Sequence, residues 1–260
     1  MRYFLDISYK GTHYAGWQRQ KNALGVQEVL EKALSTFLRQ ATQAHGAGRT
    51  DTGVHARQLM VHFEYEGKLD RSFFAGINGL LPYDIAVNKV LLPSHPGLHA
   101  RFDAISRAYV YQIVRHKSPE HHEFAHWERQ NLDLKAMAAA AATLLEFEEF
   151  ASFCKAHGNQ NHYRCDMQEV RWEEKDDLLL FHIRANRFLR GMVRAIVGTL
   201  LFVGRGKLTV EEFRQIIEAQ DRQAAGPNAP AKGLFLTEVR YPVGSFIEKR
   251  EERREKREEN

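Results

Sequence analysis

The chain has 260 residues, of which 43% are hydrophobic and 27% charged, with a formal net charge of +4; this is the balance of a globular protein with room for one large core or two ordinary ones. No apolar run approaches the roughly 20 residues of a membrane span; AIVGTLLFV, for example, has nine. Cys154 and Cys165 lie eleven apart with no C-x-x-C pattern, which predicts ordinary thiols, no disulfide framework and a reducing, cytoplasmic setting.

The opening MRYFLDISYK is broken by Asp6 and alternates as Tyr3, Leu5, Ile7 and Tyr9, so it reads as a strand and not as a signal peptide. VQEVLEKALSTFL follows with a helical stripe of Val26, Val29, Leu30, Ala33, Leu34 and Phe37. Next come a turn-rich segment around Gly48 and Gly53, a strand at LMVHFEYE, a helix at RSFFAGINGLL and a strand at DIAVNKVLL. The two prolines of LPSHPGLHARFDA mark a boundary. They predict an N-terminal α+β domain over 1–95 and a second over 96–245, with a charged tail from 246 to 260. The second half reads as a strand at SRAYVYQIVR, a helix at DLKAMAAAAATLLEF and strands at MQEVRWEE and DLLLFHIRA. A helix from Phe188 toward Phe202, another at TVEEFRQIIEA and a closing strand at LFLTEVRY complete it. Two β-α-β-β-α-β-like halves predict an α+β fold of two ferredoxin-like α/β-sandwich units with joined sheets. From Glu248 onward the tail has six basic and six acidic residues, the pattern of a solvated or fraying helix.

Three stretches carry chemistry. In GRTDTGVHA the core D-T-G matches the tripeptide of aspartic proteases, but those need two carboxylates sharing a proton, and the chain has no second D-T-G or D-S-G. HEFAH, His122 to His126, matches H-E-x-x-H. On a helix it would bind zinc through His122 and His126, with Glu123 as base and Glu146 or Glu149 as third ligand, the site of a metallopeptidase. It follows Pro119 and lacks an apolar stripe, which favours a polar connection and no metal. Third, Leu178 to Val210 contains no acid but carries Arg184, Arg187, Arg190, Arg194, Arg205 and Lys207. Arg187, Arg190 and Arg194 recur at i, i+3 and i+7 and are predicted to share a helix face, suited to phosphates or to a carboxylate elsewhere in the fold. Along SRAYVYQIVR, alternation places Arg107, Tyr109, Tyr111, Ile113 and Arg115 on one sheet face, either a stacking platform for bases or core residues with hydroxyls at a rim.

GRTDTGVHA, together with YKGTHYAGWQRQ, HARFDAISRAYVYQ, FLRGMVRAIVGTLL and GLFLTEVRYP in that order, resembles the tRNA pseudouridine synthases of the TruA type over roughly residues 3 to 242. One departure is Thr52, where the family more often has alanine. The resemblance implies a pseudouridine-synthase fold with the active-site cleft between its halves, and a cofactor-free isomerase acting at uridines 38, 39 and 40 of the tRNA anticodon arm. It implies Asp51 as the catalytic carboxylate and Arg194 as its ion-pair partner. By the same resemblance Arg49 fills the space of the flipped uridine, Tyr109 stacks on the uracil and Leu236 forms an apolar wall. Arg187, Arg190, Arg205 and Lys207 then read as contacts to the RNA backbone, and the protein is expected to be a homodimer. A non-catalytic RNA-binding module is the rival reading, since every feature except Asp51 suits it.

Overall fold

The computed structural model describes residues 1–155 and 162–247. The first half forms strand β1 (Arg2–Tyr9), helix α1 (Val26–Leu38), strands β2 (Ala44–Gly46) and β3 (His55–Glu64), helix α2 (Phe73–Leu80) and strand β4 (Ile85–Pro93). The second half forms strands β5 (Ser106–Val114) and β6 (His126–Trp127), helix α3 (Leu134–Thr143), and strands β7 (Met167–Lys175) and β8 (Leu178–Ala185). Helices α4 (Met192–Gly204) and α5 (Val210–Glu218) and strands β9 (Leu234–Arg240) and β10 (Phe246–Ile247) complete the described chain. The ten described strands join in one sheet of order β10-β4-β1-β3-β9-β5-β8-β7, with β2 added on β3 and β6 on β5. The architecture is mixed α/β.

Local chemistry sets the ends of the helices. Thr209 and Glu212 form a reciprocal capping box at α5, and the Asp133 carboxylate accepts from the Ala136 amide at α3, each such cap stabilising its helix by about 1 kcal/mol. Helix α4 starts later than its apolar pattern suggests, because Gly191 takes φ +73° as its N-cap. Arg187 and Arg190 therefore lie in the loop before the helix, and the predicted helix face shared with Arg194 does not exist.

Two apolar clusters back the sheet. One packs α1 and α2 on β1, β3 and β4 through residues such as Leu5, Ile7, Leu30, Leu34, Val61 and Phe73. The other packs α3, α4 and α5 on β5, β7 and β8 through Ile113, Met137, Phe181, Ile196, Leu200 and Phe213. Each fully buried side chain of this kind contributes about 1.5–3 kcal/mol. Strand β9 joins the two, pairing parallel with β3 (His55 opposite Phe235, Ala56 opposite Leu236) and antiparallel with β5. Tyr109 touches both clusters.

Strand β1 is buried on both faces, since Phe4 meets Tyr241 and Phe246 on the side away from the helices. Residues 246–247, which the sequence reading leaves in the tail, pair with β4, Phe246 opposite Pro93 and Ile247 opposite Leu92. The charged stretch from Glu248 to Asn260 lies outside the described residues.

Candidate active site

The loop from Gly48 to Val54 joins β2 to β3 and is pressed onto the segment after β1. A Cβ on Gly11 would lie 2.0 Å from the Val54 carbonyl oxygen, and one on Gly16 would lie 2.2 Å from that of Thr50. Only glycine permits backbones to approach so closely. The Trp17 amide donates to the Thr50 carbonyl (3.3 Å), the Gly53 amide donates to Tyr14 (3.3 Å), and the Tyr9 hydroxyl lies 2.8 Å from Thr50 Oγ1. Within the loop, the Val54 amide closes a turn on the Asp51 carbonyl (3.1 Å), with Gly53 at φ +78°. The spacing of YKGTHYAGW is thus that of a cradle for the loop that carries Asp51.

The Asp51 carboxylate faces the start of α4. Its Oδ2 lies 3.6 Å from Arg194 Nη1, in a pair whose side chains are 30% and 20% exposed. At that separation and exposure the pair stabilises the fold by about 1 kcal/mol or less, so its main effect is to direct the carboxylate. Arg194 is itself fixed at both ends: its Nε donates to the Ala229 carbonyl, and its own carbonyl accepts from the Ala229 amide, both at 2.8 Å. Segment 226–229 can reach the helix because Gly198 lacks a side chain; a Cβ there would lie 1.7 Å from the Pro227 carbonyl oxygen. A Cβ on Gly191 would lie 3.9 Å from Asp51 Oδ2. The first turn of α4 has no acid and no side-chain cap, so Asp51 is the anion beside the positive end of a thirteen-residue helix.

Tyr109 stands next to this pair. It is half-buried and meets Phe188 edge to face, with ring centroids 5.2 Å apart and planes at 88°. Burial first, and then the Asp51 carboxylate, push its phenol above the usual tyrosine range, with Arg107 acting in the opposite direction. The ring therefore stays neutral at ordinary pH. A register shift between Ala108 and Tyr109 sets the tyrosine opposite Leu236. Leu236 is 1% exposed, so it backs the ring from the core instead of facing open space. Tyr111 is also core, its hydroxyl donating to the Pro230 carbonyl at 2.8 Å. The two-tyrosine platform is reduced to one.

The other basic residues separate by position. Arg49 is exposed, with no hydrogen bond or ion pair among the described residues. Arg187 is half-buried with Nη1 3.0 Å from His162 Nε2, and Arg190 is exposed while its carbonyl accepts from the Lys155 amide. Arg205 and Lys207 lie beyond the far end of α4, about 18 Å along the axis at 1.5 Å per residue. Arg205 is ion-paired with Glu128, whose side chain is 4% exposed, and both cations sit over the Phe202 ring. Arg184, in the same acid-free segment, is held by Glu238 and Glu169.

HEFAH is not helical: amides of Phe124 and Ala125 turn back onto His121, and His126 opens β6. Glu123 pairs with Lys10 at 2.6 Å, His126 lies 3.6 Å from Glu128, and Glu146 and Glu149 pair with Arg214 and Arg164. No group of three or more His, Cys, Asp or Glu suited to a metal occurs among the described residues. The zinc-peptidase geometry is thereby overturned. Cys154 and Cys165 are buried free thiols, and burial pushes Cys165 up to about 12. No helix among the described residues is long and apolar enough to cross a membrane.

Neither Gly191 nor Ala229 is among the site residues that the sequence points to. The signal for Gly191 was present, since a glycine between Arg190 and an apolar run marks a helix start as readily as an interior position. Ala229 carries no such signal, because its role is made by backbone atoms alone.

The Asp51 carboxylate, directed by Arg194 and acting on the Tyr109 phenol, is the candidate site. The sequence profile described as tRNA pseudouridine synthase matches residues 140–242. A Bacteroides fragilis protein named tRNA pseudouridine synthase A is 49% identical over 94% of this chain and 98% of its own length. Its Bacteroides thetaiotaomicron counterpart is 49% identical over 95% and 93%, and that of Parabacteroides distasonis 46% over 94% and 98%. This chain belongs to the tRNA pseudouridine synthase family. Among solved structures, the archaeal box H/ACA sRNP Nop10–Cbf5 complex matches at 15% identity and a TM-score of 0.33, covering 86% of this chain and 59% of that one. That likeness is too distant to bear on the site.

Proposed function

We propose that this chain isomerises uridine to pseudouridine at positions 38, 39 and 40 of the tRNA anticodon stem-loop, with Asp51 as its catalytic carboxylate. The observation that carries the reading is the Asp51–Arg194 pair at 3.6 Å, set at the open N-terminus of α4 within reach of Tyr109's ring. The reaction breaks the N1–C1′ bond and forms C5–C1′; the proton lost from C5 is balanced by one gained at N1. No electron donor or acceptor enters that balance. Asp51 serves as nucleophile or as base, and Arg194 holds it near attack geometry.

A paired or stacked uridine must first be extruded, at a cost of a few kcal/mol. Stacking on Tyr109, worth about 1–3 kcal/mol, offsets much of that. Arg49, exposed two residues before Asp51, fills the space left behind, while Leu236 supports Tyr109 from below. Arg187 and Arg190 contact phosphates beside the pocket, and Arg205 and Lys207 contact them farther away. The two apolar clusters bridged by β9 support the reading of two ferredoxin-like halves with the cleft between them, over 1–95 and 96–245. A homodimer that binds tRNA across both copies, at work in the cytoplasm, completes the proposal. The buried free thiols suit that reducing compartment.

The test is nucleoside mapping by mass spectrometry of unmodified tRNA after incubation with the wild-type protein and with Asp51→Ala. Pseudouridine at positions 38 to 40 with the wild type, and none with the variant despite retained tRNA binding, is the expected result. Binding by both proteins with no product from either would favour the non-catalytic RNA-binding module.

A further inference from the structure

The loop between β4 and β5 ends in an exposed ring with a rigid foundation. Phe102 is 74% exposed. Its centroid lies 4.4 Å from that of His99, His99 lies 4.5 Å from His62, and His62 stacks on His45 at 5.0 Å. The series is rooted in the core: His62 is 2% exposed and its Nδ1 accepts from the Ala100 amide at 3.1 Å. His99 Nδ1 accepts from the Arg101 amide (3.0 Å), and Asp103 Oδ2 accepts from the His99 amide (2.6 Å). The loop's own acid is thus turned inward, while the Arg101 guanidinium lies 5.7 Å from the Phe102 centroid.

Arg107 ties this loop to the site. Its Nη1 donates to the Ala104 and Asn186 carbonyls, and its Nη2 to those of Ala47 and Arg101. All four N–H groups of the two terminal nitrogens are used. One planar group therefore gathers three backbone segments: the loop bearing Phe102, the approach to Arg49 two residues after Ala47, and the approach to Arg187 one residue after Asn186. Two residues of extended chain span about 7 Å, so Phe102 belongs to the rim that carries Arg49. An exposed aromatic ring with the Arg101 guanidinium over it offers stacking to a base and attraction to its phosphate.

We propose that Phe102, backed by His99 and accompanied by Arg101, is a stacking step for an unpaired nucleobase of the substrate RNA outside the uridine pocket. The inference rests on the proposed function and adds a second base contact to it. The experiment places 2-aminopurine at successive loop positions of an anticodon stem-loop, then measures fluorescence, affinity and single-turnover rate with wild type, Phe102→Ala and Phe102→Trp. At one position the wild type should quench the probe and the alanine variant should not. Phe102→Ala should weaken binding about 5- to 100-fold, keep the rate at saturating RNA within about threefold, and melt at the wild-type temperature. Tryptophan should restore both quenching and affinity. Wild-type affinity and quenching in the alanine variant would overturn the stacking step while leaving pseudouridine formation by the wild type to support the reaction. Stacking lost with alanine in a protein that makes no pseudouridine would retain the step and overturn the reaction instead. A loss of RNA affinity that only follows a fall in oligomeric mass would reassign Phe102 to a contact between copies.

Discussion

Arg194, in the first turn of α4, faces Asp51 at 3.6 Å in a partly exposed pair, whereas Arg205, just past its last residue, is bound to Glu128 in a pair whose acid is buried. The two arginines come from one acid-free stretch and stand at opposite ends of one helix, yet their carboxylates differ in kind. Glu128 has other ties, its Oε1 accepting from the Gln130 amide at 2.9 Å, and the pair holds the segment after β6 against the end of the helix. Asp51 has no hydrogen-bond partner for its side chain among the described residues; it is directed by charge and by the helix terminus, and its remaining lone pairs are open to a substrate. The Arg205–Glu128 pair is anchored by further contacts around its buried acid, whereas the Asp51–Arg194 pair leaves part of its carboxylate exposed.

The largest effect should come from removing the Asp51 carboxylate. Asp51→Asn is expected to lower single-turnover pseudouridine formation by at least about 10⁴-fold, roughly 5 kcal/mol of transition-state stabilisation, with an unchanged melting temperature. At the other end of the helix, Arg205→Ala should do the reverse. It strands a buried charge at a cost of about 3 kcal/mol, which should lower the calorimetric melting temperature by roughly 6–10 °C. Turnover per folded molecule should change little at saturating tRNA. Tyr109→Ala is expected to lose about 1–3 kcal/mol in binding a flipped uracil, read by titration with an anticodon-arm RNA, whereas Tyr109→Phe should keep that binding. Gly191→Ala should destabilise the fold by about 1–2 kcal/mol, since the residue must stay left-handed, and a denaturant midpoint measures that directly.

Much of the molecule was legible because its signals are local. The stripe of α1 runs as written, with Val26, Leu30 and Leu34 buried, and the alternation of Tyr3, Leu5 and Ile7 identifies β1. Strands β2, β6 and β10 have two or three residues each, too few for a period to register. The place of β9 between β3 and β5 depends on contacts across most of the chain, which no local pattern encodes. At the site, Asp51 is pointed to by the resemblance that GRTDTGVHA carries. Arginines of the basic stretch look alike in sequence, and only folding sorts Arg184 and Arg205, with their distant glutamates, from Arg194 beside Asp51. The series Arg187, Arg190, Arg194 misled because i, i+3, i+7 spacing is meaningful only if the helix has begun, and Gly191 starts it too late.

Arg194 is proposed to act through Asp51 and not as a general RNA contact. The measurement that tests it is the tRNA affinity and single-turnover rate of Arg194→Ala beside the wild type, in the same buffer. The rate should fall by about 10²-fold or more with affinity within about threefold. A wild-type rate at saturating tRNA, together with clearly weakened binding, would contradict it.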